Sequence, residues 1–139
     1  MQNHFYVIVA TALILLGGTS VFAQVEYHEH DTIDNVLIEY RWQRERFFAR
    51  DPNAVLNLKV TNLSDAYLEL RFTAGFYRDK QLMFETAEQA LCLQPWQSKR
   101  GRRADLRFTA EGITMGTVEQ EWFSWDIPMM DVRLVDDCE

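Results

Sequence analysis

Leu56-Asn57-Leu58-Lys59-Val60-Thr61-Asn62-Leu63-Ser64-Asp65-Ala66-Tyr67-Leu68-Glu69-Leu70-Arg71-Phe72 is the stretch that decides the fold. Two runs of strictly alternating apolar and polar residues flank a short Ser/Asp turn, which is the pattern of a half-solvated hairpin. The same period of two recurs outward from it. Val36, Ile38, Tyr40 and Trp42 alternate with Leu37, Glu39 and Arg41, and Leu106 and Phe108 alternate with Asp105 and Arg107. Val132 and Leu134 alternate with Asp131 and Arg133. No window sustains the i, i+3, i+4, i+7 stripe of a helix. Turn chemistry falls between the runs, at Asp51-Pro52-Asn53, Arg78-Asp79-Lys80, Ser98 to Arg103 and Glu111-Gly112, and Pro128 ends the run after Trp125. Thr86 to Ala90 reads as a short turn or a sheet-to-sheet crossing. About seven strands then predict one all-β domain, an antiparallel two-sheet sandwich. Its core should hold Leu56, Leu58, Val60, Leu68, Leu70, Phe72, Leu106 and Phe108.

The first 23 residues carry no Asp, Glu, Lys or Arg, and Phe5 to Ala23 is apolar before closing on Val21-Phe22-Ala23. That is the layout of a cleaved secretory signal, with the folded domain at 24–139. A retained apolar anchor is the alternative, since about 20 apolar residues span a bilayer. Only Cys92 and Cys138 are present, and an exported chain is expected to join them in a disulfide. Closing that loop would stabilise by about 4 kcal/mol in the chain-entropy view.

The hairpin Leu56–Phe72 resembles the central hairpin of bacterial immunoglobulin-like and fibronectin-III-like exported modules. Leu91-Cys92-Leu93-Gln94-Pro95-Trp96 looks like the later segment of such modules, where a strand runs into a Pro-containing turn. Together they cover about a third of the chain. The resemblance implies an immunoglobulin-like sandwich with a binding or assembly role, and it fixes no ligand.

Inventory argues against catalysis. The histidines are His4 in the leader and His28 and His30 at the start of the domain, where a frayed terminus would not hold a general base. There is no phosphate-cradling glycine loop and no zinc-protease motif. Glu119, Glu121 and Asp126 are read as surface charge rather than as a glycosidase pair. His28, His30 and Asp31 form the one plausible metal cluster, weighed against a plain polar tail. No cofactor is implied.

Charge is uneven. Gln24–Ala110 holds 13 basic and 13 acidic residues, whereas Glu111–Glu139 holds eight acids and only Arg133, so the net −7 lies at the end of the chain. That balance argues against a nucleic-acid binder. Lys99, Arg100, Arg102 and Arg103 nevertheless sit together, with Trp96 just before them. Trp122 should point outward from a strand whose Phe123, Trp125 and Ile127 face the core. These six residues, Trp96, Lys99, Arg100, Arg102, Arg103 and Trp122, are the expected partner contacts, unless the cations merely pair with the acidic end. The expected function is a non-catalytic exported module, periplasmic or extracellular, that binds another envelope or extracellular protein. A carbohydrate-binding module and a small secreted hydrolase inhibitor are the alternatives.

Overall fold

The computed structural model describes residues 26–139, so the leader expected at 1–23 lies outside the described residues. Among them no helix is long and apolar enough to cross a membrane. The described residues form nine strands: β1 (His28–Ile33), β2 (Val36–Arg44), β3 (Asn53–Asn62), β4 (Tyr67–Arg78), β5 (Gln81–Glu85), β6 (Gln89–Leu93), β7 (Ser98–Arg100), β8 (Arg107–Thr114) and β9 (Phe123–Val135). A 3₁₀ turn at Arg102–Ala104 and one helical turn, α1 (Met115–Val118), complete it.

Two antiparallel sheets result. In the first, β1, β2 and β3 lie in order, and β7 and β8 both pair with the far side of β3. In the second, β4 is central, with β9 along one side and β5 and β6 along the other. β5 and β6 follow one another down a single lane, as do β7 and β8, so nine strands fill seven lanes. The segment expected to turn or cross between sheets at Thr86–Ala90 instead interrupts one lane, because β6 resumes pairing with β4 where β5 stops. An immunoglobulin domain puts its second and third strands in opposite sheets, whereas β2 and β3 here are hydrogen-bonded neighbours through nine residue pairs.

All eight residues expected in the core are buried, and one apolar cluster joins both sheets, with Val36, Ile38, Phe76, Leu93 and Ile127 added. Asn62 is fully buried at the end of β3 and is satisfied by turns from both sheets. Its amide donates to Ala66 O at 2.7 Å and Gln94 O at 3.0 Å, and its Oδ1 accepts from Ser64 N at 2.9 Å. Cys92 and Cys138 are disulfide-bonded, their Cα atoms 5.6 Å apart. The bond straddles β4, since Cys92 pairs with Glu69 in register and Arg133 of β9 pairs with Glu69 on the other side.

Pro128 does not end a strand. β9 runs through it, because Ile127 and Pro128 together oppose only Ala74 in a bulge between the pairs Thr73–Met129 and Gly75–Asp126. A bulge on an outermost strand is where a residue without an N–H costs no ladder bond. The bulge also shifts parity, so Ile127 before it and Met130 and Val132 after it all face the core.

Candidate functional site

Strand register assembles charge on the outer face of the first sheet. Directly opposed residues share a face, and Glu39 opposes Lys59, which in turn opposes Arg100. One row along, Arg41 opposes Asn57, which opposes Arg107. Between these rows the β7/β8 lane breaks. Gly101 N donates to Leu58 O at 3.2 Å and Leu58 N donates to Leu106 O at 2.8 Å, so a single β3 residue receives both ends of the break. The four residues Arg102 to Asp105 are thereby thrown out over the sheet. Gly101 makes the exit at φ 64°, ψ −155°, a conformation that only glycine adopts without strain.

The result is an open groove of about 940 Å³ lined by Glu26, Tyr27, Glu39, Arg41, Lys59 and the run Arg100 to Arg103. Five cations face two carboxylates there. Tyr27 lies under the Arg41 guanidinium, 4.8 Å from ring centre to Cζ. Lys59 Nζ stands 2.6 Å from Glu39 Oε2, a charge contact whose angles do not make a hydrogen bond. Arg41 Nε is enclosed and has no hydrogen-bond partner among the described residues. A buried donor left unmet is costly unless something supplies an acceptor.

The six expected contact residues are only partly brought together. Arg100, Arg102 and Arg103 line the groove. Ser98–Arg100 is strand rather than loop, and this splits the cations by parity. Lys99 opposes the buried Val60 and turns to the sandwich margin, beside Ala90, Leu91 and Asp105. Trp96 is 65% exposed, in a left-handed turn (φ 60°) whose N–H donates to Ser64 O at 3.2 Å, at the end where β4 begins. Trp122 lies at the opposite end, where β4 finishes: Asp79 N donates to Trp122 O at 2.8 Å. Its ring is covered by the Arg78 guanidinium, Cζ 4.4 Å from the centroid, so that face offers no open platform for a sugar. Arg41, Lys59, Glu39 and Tyr27 are the groove residues that sequence reasoning passed over. Their signal was present, as charged residues at the polar positions of β2 and β3 that hairpin register sets side by side.

The loop cations do not pair with the acidic end. Among the described residues the four ion pairs are His30–Asp126, Lys59–Glu39, Arg71–Glu69 and Arg133–Asp131. The weak metal cluster is not formed either: no three His, Cys, Asp or Glu side chains among the described residues converge as ligands. His28 to Ile33 is a strand and not a tail, with a bulge between Glu29 and Asp31, and both imidazoles lie against the Tyr40 ring, at 5.8 and 6.0 Å. His30 Nε2 lies 3.1 Å from Asp126 Oδ1 while its ring stacks on Trp125 at 4.0 Å. Asp31 instead accepts from Thr32 N at 2.7 Å. These contacts tie β1 of one sheet to β9 of the other. No protein-family model, curated protein or solved structure matches the chain.

Proposed function

We propose that this chain is a non-catalytic exported module that binds an acidic segment of another envelope or extracellular protein in the groove on its first sheet. The observation that carries the reading is the enclosed, unpartnered Arg41 Nε at the floor of a groove walled by Lys59, Arg100, Arg102 and Arg103. An extended peptide carrying carboxylates supplies acceptors to such a wall, and guanidinium–carboxylate contacts are directional as well as charged. The apolar leader and the single disulfide support export.

Affinity capture from an envelope extract tests it, using wild type beside Arg100→Gln/Arg102→Gln/Arg103→Gln. A protein retained by wild type should be lost with the triple variant. It should also elute as salt rises to a few tenths molar, where the Debye length falls to several ångströms. Trp122→Ala, just before β9 of the second sheet and outside the groove lining, should capture normally. Equal capture by the triple variant sinks the site. Retention of an acidic glycan in place of a protein would transfer the groove to that ligand.

A further inference from the structure

The loop between β2 and β3 carries Phe47 and Phe48, 80% and 95% exposed, their rings 5.1 Å apart edge to face. Rings so exposed on a short loop ordinarily fold back onto the domain. Here the base of the loop is fastened and the tip stands out. Glu45 N donates to Asn53 O at 2.9 Å, Asn53 Nδ2 donates to Glu45 Oε2 at 3.0 Å, and Pro52 is buried. The fastening also occupies Glu45, one of two carboxylates on the loop, whereas Arg44, Arg46 and Arg50 enter none of the ion pairs among the described residues.

We propose that this tip docks on an anionic phospholipid bilayer, inserting Phe47 and Phe48 at the headgroup–acyl boundary while Arg44, Arg46 and Arg50 meet the phosphates. Two observations favour a bilayer over a protein. The exposed apolar area is two adjacent rings on one loop, flanked in sequence by Arg44, Glu45, Arg46, Arg50 and Asp51. A protein partner would need a matching pocket and a much broader contact, whereas a fluid interface closes around a small wedge. The collar is cationic, which adds attraction to anionic lipid. Arg102 and Arg107 border the same Glu45 and extend the positive surface from the loop base toward the groove. The chain's acidic surplus does not prevent this, because five of the eight acids in 111–139 lie on β9 or follow it, and β9 belongs to the other sheet.

A label that reports its own surroundings tests the proposal. Both native cysteines are in the disulfide, so Phe48→Cys can be tagged alone with an environment-sensitive fluorophore. Asp65→Cys, in the turn at the opposite end, serves as the control. On phosphatidylcholine vesicles containing phosphatidylglycerol, the label at 48 should shift to the blue and brighten about threefold, as expected for entry into the interface. It should not respond to phosphatidylcholine alone, and the label at 65 should stay unchanged. Membrane association through residues 5–23 would not by itself move the tip label into lipid. Phe47→Ser/Phe48→Ser, at positions that contribute no core contact, should bind anionic vesicles at least about tenfold more weakly than wild type. The proposal is overturned by a silent label at 48 on saturating anionic vesicles, by equal responses at 48 and 65, or by undiminished vesicle binding of the double serine variant. A response at 48 to an envelope protein and not to vesicles overturns it too, and makes the tip a protein-docking knob.

Discussion

Gly75 sits in the middle of β4 because the ring of Tyr77, two residues on and on the same face, lies across it. A methyl group there would stand 2.6 Å from Tyr77 Oη and 2.9 Å from Cε2. Gly75→Ala should therefore cost about 1–3 kcal/mol, as overpacking does, and the loss should largely vanish when Tyr77 is already alanine. Denaturant unfolding of the four members of that cycle measures it, and strictly additive costs would show that the two residues do not meet. Burial pushes the Tyr77 hydroxyl above its ordinary range, with Asp126 and then Glu85 adding to the rise. The folded state thus prefers the neutral phenol. Its contribution is whole below about pH 10, the unfolded value, and drains away as pH climbs through the higher folded value. Tyr77→Phe should flatten that alkaline decline in melting temperature; an identical profile would remove the assignment. None of this was readable beforehand. The alternation of Leu68, Leu70 and Phe72 showed which way β4 faces, but a glycine under a tyrosine becomes visible only once side chains have directions.

Among the elements, the excursion at Arg102 to Asp105 holds the site together. Gly101→Ala should destabilise the protein by about 1–3 kcal/mol, the usual cost of forcing a side chain into a glycine-only conformation. It should also displace Arg102 and Arg103 and weaken ligand capture, which a thermal melt and a capture assay would read separately. Full stability with full capture would mean that the turn tolerates a Cβ. Five of the seven lanes were legible as alternating runs, and so was the pairing of the two cysteines, whereas β1 read as a polar tail and the β5/β6 lane gave no alternating run. The interruptions within lanes were not, because Gly and Arg in a polar cluster announce a turn without saying whether the chain turns to a new partner or returns to the old one. Leu58 bonding both ends of the break, accepting from Gly101 and donating to Leu106, is a fact of register. Pro128 misled for a related reason: it marks a missing donor, and a bulge can absorb that as well as a strand end can.

At the scale of the whole molecule, the net −7 conceals a groove of opposite sign. Replacing Arg100, Arg102 and Arg103 with glutamine should leave stability within about 0.5 kcal/mol per substitution, as for surface changes, since none of them enters an ion pair among the described residues. A large drop in melting temperature would mean that these charges support the fold itself. Half of the groove was legible as a basic run in sequence. The other half comes from β2 and β3, whose charged residues look like ordinary solvated positions until register aligns them. Trp96 and Trp122 were equally visible as aromatics, and it took the full length of β4 to separate them. The interrupted lanes have one more effect. Each sheet ends in two open flanks, and every one of the four is broken: β1 by its bulge at Glu29–Asp31, β9 at Pro128, the β5/β6 lane at Thr86–Glu88 and the β7/β8 lane at Gly101–Leu106. A second molecule approaching flank to flank would find only short ladders to join. The fold thus denies an incoming strand the long, continuous edge on which fibril growth depends.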